Sequence, residues 1–171
     1  MKLINIEIKA KSDNNDKIRS ILKEKNADFK GVDHQIDIYF KVPEGRLKLR
    51  QGNIENSLIF YRRENSAQPK ESDVSLYRAK EIKDLKEVLE NSLGVLVTVD
   101  KQREIYFIDN VKFHLDKVND LGEFVEIEAI GNREEERETL LKQCNFYLHL
   151  FGIKDNDLVS VSYSDMLLSI K

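Results

Sequence analysis

The sequence predicts an α+β fold of about eight mostly antiparallel strands with three or four helices. Three observations carry that expectation. Apolar and polar residues alternate over several short runs, as in strands with one buried and one polar face. The runs follow one another across short turns, which favours antiparallel pairing. Longer segments between and after them space their apolar residues as helices do. Strands of this kind close into a barrel or lie as an open sandwich.

In chain order, residues 2–11 alternate, with Ile4, Ile6 and Ile8 opposite Asn5, Glu7 and Lys9. Residues 14–26 place Ile18, Ile21 and Leu22 on one helical face, with Asp13 or Asn14 as the cap. Residues 35–41 alternate again, and Val42–Gly45 make a turn into the strand RLKLR, residues 46–50. Residues 57–63 are rich in β-formers, and 74–80 read as another strand. Residues 83–93 form a helix that Gly94 ends. Four strand-like runs follow, at 96–102, 103–109, 111–118 and 123–130. The longest helix covers 133–151, with Leu140, Leu141, Cys144, Tyr147, Leu148 and Phe151 as its apolar stripe. Its acidic start, Arg133 to Glu138, is a solvated first turn. A short helix from Ser164 to Ser169 closes the chain. The polar stretch 62–73, with Pro69, reads as an insertion within a single domain spanning residues 1–171.

Composition removes several function classes. There are 31 acidic and 28 basic side chains, a net charge of −3, so a general grip on nucleic acid is not expected. The sole cysteine, Cys144, excludes an internal disulfide and fits a reducing cytoplasm. No apolar run has the length of a membrane span, and no secretory signal opens the chain, so a soluble cytoplasmic protein without a membrane partner is expected. Zinc-type His/Cys spacing, a P-loop and a G-x-G-x-x-G turn are all missing from the sequence. His149 belongs on a surface and Cys144 in a core; His34 and His114 are structural or catalytic.

The polar faces of the strands are sorted by charge. The first carries Glu7 and Lys9, and the third Arg46, Lys48 and Arg50. Arg62 follows, then Lys101 and Arg103, then Lys112, His114 and Asp116, then Glu126 and Glu128. These faces could simply meet solvent. Pointed into a barrel, they would need a ligand or mutual pairing. Basic rows facing acidic rows suit a polyanion with divalent cations. Arg and Lys hold phosphate oxygens, and paired glutamates hold a hard ion.

The order of these motifs resembles the CYTH family, the triphosphate tunnel metalloenzymes, and within it the class IV adenylyl cyclase branch. Asn5-Ile6-Glu7-Ile8-Lys9 occupies the place of the family's E-x-E-x-K strand. His34 with Asp37-Ile38-Tyr39-Phe40, Leu47-Lys48-Leu49-Arg50 and Asp100-Lys101-Gln102-Arg103-Glu104 follow in family order. Leu121 to Glu128 and Ser162 to Leu168 complete the match.

The resemblance implies an eight-stranded antiparallel tunnel flanked by helices. It implies a triphosphate substrate (ATP, thiamine triphosphate or inorganic triphosphate) and Mg²⁺ or Mn²⁺ as cofactor, with a homodimer common among relatives. Carried over, Glu7, Asp116, Glu126 and Glu128 are metal ligands. Lys9, Lys48, Arg50, Arg62, Lys101 and Arg103 contact phosphates, and Tyr39 with Arg62 forms the catalytic pair. The activities implied are cyclisation of ATP to cyclic AMP and pyrophosphate, or hydrolysis of an organic or inorganic triphosphate.

Three positions depart from the family. Asn5 replaces its first glutamate and offers an oxygen without charge. Arg62 replaces a lysine and cannot act as a base. Leu76 and Arg78 stand where Arg and Glu are common. These departures leave open a second class, a catalytically weakened module that binds nucleotide or polyphosphate. A plain barrel with external charges is the third reading.

Overall fold

The computed structural model describes residues 4–62, 70–71, 73–132 and 136–171. Most of the stretch expected as an insertion over 62–73, and the start of the run 133–138, lie outside the described residues.

A single antiparallel sheet organises the chain. Its strands are β1 (Ile4–Lys11), β2 (Asp28–Phe40), β3 (Arg46–Gln51), β4 (Ser57–Arg62), β5 (Lys70–Glu71), β6 (Asp73–Arg78), β7 (Val95–Ile108), β8 (Val111–Val118) and β9 (Gly122–Gly131). Their spatial order is β5-β1-β9-β8-β7-β2-β3-β4-β6. The two-residue β5 pairs with β1 at one end of the sheet, and β6 pairs with β4 at the other. Strands β5 and β6, neighbours in sequence, therefore pair at opposite ends of the sheet, and the eight longer strands curl around a lumen. The expected α+β tunnel is the fold observed.

Period-two alternation decides what each face does. Ile4, Ile6 and Ile8 point outward into a core with Val111, Phe113, Val125 and Ile127. Two helices cover that core. In α1 (Asn15–Glu24), Asn14 caps the first turn by accepting from the Lys17 amide at 3.1 Å, and Ile18 and Leu22 are buried. In α3 (Arg137–Leu150), Leu140, Cys144 and Leu148 are buried. Phe113 meets Tyr147 and Phe151 edge-on, at 4.7 and 5.6 Å between centroids. A second outer core packs Leu85, Leu89 and Leu93 of α2 (Lys83–Leu93) on Ile38, Phe40 and Leu49. Gly94, at φ 77°, ends α2 and donates to the Glu90 carbonyl.

The third core fills one end of the lumen. It unites Tyr39, Ile59, Tyr61, Val97, Val99 and Phe124 with Tyr163 and Leu167 of α4 (Tyr163–Ser169). Ser162 and Asp165 cap α4 reciprocally. Arg46 donates to both oxygens of Asp165 at 2.9 and 2.8 Å, fastening α4 to β3.

Two elements differ from their expected bounds. Residues 95–108 form one strand, since no turn residue interrupts the alternation between Gln102 and Arg103. Strand β2 begins at Asp28, seven residues before the run at 35–41; its early half carries a register shift between Phe29 and Gly31 that obscures the alternation. No helix among the described residues is long and apolar enough to cross a membrane.

Phe113 is fully buried where β8 meets α3. Phe113→Ala is expected to lower unfolding stability by about 3–5 kcal/mol, read as a shift in the urea midpoint.

Candidate functional site

The charged strand faces converge inside the barrel. They line a cavity of about 200 Å³. Strand β1 contributes Asn5, Glu7 and Lys9; β2 contributes Asp37 and Tyr39; β3 contributes Lys48 and Arg50. Strand β7 adds Lys101 and Arg103, β8 adds Lys112 and His114, and β9 adds Glu126 and Glu128. The outward isoleucines of β1 account for this placement. Burying them under α1 and α3 turns Glu7 and Lys9 into the lumen.

The cations are matched by buried carboxylates. Asp37 is 1% exposed and holds three of them. Arg50 binds it through two bonds of 2.8 Å, Lys101 through one of 2.9 Å and Lys48 through one of 3.2 Å. Burial opposes the charge on Asp37, but Arg50, Lys101 and Lys48 hold its pKa well below the usual carboxylate value. Burial pushes the Lys101 ammonium down to about 7, with Arg103, Arg50 and Lys48 adding to the effect and Asp37 opposing it.

Asp116 takes Arg103 in a fork at 2.7 and 2.6 Å, and the Tyr163 hydroxyl donates to it at 2.7 Å. Glu126 meets Lys9 at 3.4 Å, Arg103 at 3.3 Å and His114 Nδ1 at 3.1 Å. Lys9 also lies over the Tyr163 ring, 4.0 Å from its centroid. Burial drops His114 to about 4, so its ring is neutral at pH 7. Its Nε2 is buried without a partner.

The acidic end of the lumen is different in character. Glu7 and Glu128 stand directly opposite across β1 and β9. Asn5 Nδ2 donates to Glu128 Oε1 at 2.7 Å, while Asn5 Oδ1 is buried without a partner. Burial, with Glu7 and Glu126, lifts Glu128 to about 7; Lys112 opposes it. A divalent cation would relieve this crowding, and the donors are the hard oxygens such an ion takes. The orphaned Asn5 oxygen fits the same set. As the side chains stand, no three metal-ligating groups among the described residues form a ready cage.

Two expected site residues stand apart. Arg62 is on the outer face of β4, where it pairs loosely with Glu44 at 3.7 Å and packs on Phe60. The inward residue of that pair is Tyr61. SLIFYR is apolar on both faces, so its parity cannot be read from alternation. Asp116 reaches the lumen wall with both oxygens committed to Arg103 and Tyr163. Tyr39 is in place: Lys48 Nζ donates to its hydroxyl at 3.4 Å, and Tyr61 Oη lies 3.4 Å from it.

Asp37, Glu55, Tyr61 and Tyr163 join the site beyond the residues that the resemblance implies. Asp37 is legible in the sequence, since Gln35, Asp37 and Tyr39 alternate on one face. Glu55 comes from a turn and Tyr163 from a short helix, where no period points inward. Of the other histidines, His34 is half-exposed on Asp100, and His149 bonds the Asn145 carbonyl at the surface.

A family model, the CYTH domain, matches residues 3–163. No curated protein matches the chain in sequence. Among solved structures, PH1012 from Pyrococcus horikoshii OT3 is 24% identical, with TM-score 0.80 over 94% of this chain and 98% of its own. A candidate adenylate cyclase from Vibrio parahaemolyticus is 18% identical, with TM-score 0.81 over 96% and 98%. The Hippeastrum candidate adenylyl cyclase HpAC1, described as having a dominant triphosphatase activity, is 15% identical, with TM-score 0.67 over 99% and 97%. At these identities the likeness establishes the fold.

The raised Glu128 pKa has a signed consequence. The folded state holds this proton to higher pH than the unfolded chain, so stability is lost as pH rises from about 4.5 through about 7. Without divalent ions, Glu128→Gln is expected to match the parent near pH 4 and to exceed it by about 1–2 kcal/mol near pH 8, allowing for partial solvent access. Thermal melting at the two pH values measures the difference.

Proposed function

The chain belongs to the CYTH domain family, and on that premise we propose that it is a divalent-metal-dependent enzyme acting on a triphosphate inside the lumen. The observation that carries this reading is the set of inward cations on β1, β3 and β7, held in place by Asp37, Asp116 and Glu126. Lys48, Arg50, Lys101 and Arg103 present fixed donors along the lumen. Phosphoryl transfer asks mainly for such positioning and charge neutralisation.

In this reading Lys9, Lys48, Arg50, Lys101 and Arg103 grip the phosphate chain. A Mg²⁺ or Mn²⁺ ion would be held by Glu7, Glu126 and Glu128, with the Asn5 oxygen available, and would neutralise phosphate charge. Asp116 keeps the Arg103 fork aimed at the lumen. Binding exchanges internal counter-ions for phosphate oxygens. A phosphate beside Lys101 favours its protonated form and so restores a full donor.

In this reading Tyr39 acts with Lys48, whose ammonium lies 3.4 Å from its hydroxyl, in place of the implied Tyr39–Arg62 pair. The lysine comes from β3 rather than β4. This pair favours hydrolysis, with Tyr39 orienting the attacking water while a bridging P–O bond breaks. Val74 and Leu76 give a second reading some support. They line the cavity from β6 yet are 41% and 54% exposed, an apolar surface suited to an organic group on the triphosphate. With ATP there, the ribose 3′-hydroxyl could attack the α-phosphorus, giving cyclic AMP and pyrophosphate. A weakened binding module differs from both by lacking turnover.

The test is product analysis with ATP, thiamine triphosphate and inorganic triphosphate, each with Mg²⁺ and with Mn²⁺. Phosphate release marks the hydrolase and cyclic AMP the cyclase. Binding without product supports the module and contradicts the enzyme. Lys48→Ala is expected to lower kcat/KM roughly a hundredfold, while Arg62→Ala stays within about twofold. Comparable losses in both would return Arg62 to the site.

A further inference from the structure

The turn joining β3 to β4 is built more firmly than a connection requires. The Asp33 carboxylate lies beneath it, 0% exposed. The Ile54 and Glu55 amides donate to its two oxygens at 2.9 and 3.0 Å. The Gly52 amide donates to Asn56 Oδ1 at 3.1 Å, and Asn56 Nδ2 donates back to the Gly52 carbonyl at 3.0 Å. A Cβ on Gly52 would stand 2.6 Å from both Asp33 Oδ1 and the Glu55 carbonyl, so only glycine allows so tight a turn.

This construction delivers one side chain into the lumen. Glu55 reaches Lys112 at 3.2 and 3.4 Å, and Gln35 Nε2 joins Asp33 to Glu55 at 2.8 and 3.3 Å. Lys112 faces Glu128 across β8 and β9, so Glu55 stands at the acidic end. Partial burial alone would raise its pKa. Lys112, Arg50, His114 and Arg103 hold it down to about 2, so it stays charged at every working pH.

We infer that Glu55 is a specificity-determining residue, a fixed negative charge that ends the phosphate-binding path and excludes polyphosphates longer than the triphosphate. The inference rests on the proposed triphosphate site. A fourth phosphate continuing toward this end meets a carboxylate that Gln35 and Lys112 hold in the lumen. It also finds Lys112 already engaged. Like charges set together in a partly desolvated path discriminate strongly, by building repulsion against the longer ligand.

The experiment is calorimetric titration of tripolyphosphate and tetrapolyphosphate with Mg²⁺ into the parent protein, Glu55→Gln and Glu55→Asp. Gln keeps the shape and the Gln35 contact but removes the charge. Asp keeps the charge on a shorter stem, so its effect should be smaller. The ratio of tetraphosphate to triphosphate affinity is expected to rise at least roughly tenfold in Glu55→Gln. A parent that binds triphosphate while this ratio stays unchanged in both variants overturns the inference alone. A parent that binds neither ligand overturns the triphosphate site and the inference with it.

Discussion

A row of buried cations cannot stand without counter-charges, and that constraint shapes the lumen. Asp37 is the clearest case, with Arg50, Lys101 and Lys48 all within 3.2 Å of its oxygens. Asp116 does the same for Arg103, and Glu126 for Lys9 and Arg103. Removing one partner of such a group leaves an uncompensated charge, which costs more than the pair contributes. The pairs therefore fix donor positions rather than add stability. They leave the lumen nearly neutral and ready to trade a carboxylate for a phosphate oxygen.

The fold makes this arrangement affordable by dividing labour between strand faces. Outward isoleucines, valines and leucines bury against α1, α2 and α3, and that apolar burial supplies the main driving force. The inward faces are then free to carry charge. One end of the lumen is closed by aromatic packing, with Tyr163 of α4 touching Phe124, Lys9 and Asp116. The other is bounded by the β3–β4 turn on Asp33. Both closures place a polar group beside the cations, a hydroxyl at one end and a carboxylate at the other.

Much of this was legible in the chain because strands report their faces at every second residue. Ile4, Ile6 and Ile8 against Glu7 and Lys9 are readable by eye, as are the basic face of β3 and the acidic face of β9. Legibility failed where alternation fails. The stretch SLIFYR is apolar on both sides, so alternation does not tell that Tyr61 is the inward residue and Arg62 the outward one. It failed again where a residue reaches the site from a turn or helix, as Glu55 and Tyr163 do. Partnership was the third gap. Nothing local in VKFHLDKV says that Asp116 faces an arginine on β7 and a tyrosine on α4, which engage both its oxygens.

On the function proposed above, these inward cations would receive a triphosphate chain and the acidic end a divalent ion. A crystal structure with a non-hydrolysable ATP analogue and Mn²⁺, with manganese located by anomalous scattering, tests it most directly. Phosphate oxygens are expected in hydrogen-bond contact with Lys48, Arg50, Lys101 and Arg103, with a manganese peak among Glu7, Glu126 and Glu128. Nucleotide bound on the outer surface, with the Asp37 and Asp116 pairs undisturbed and no manganese in the lumen, would contradict it.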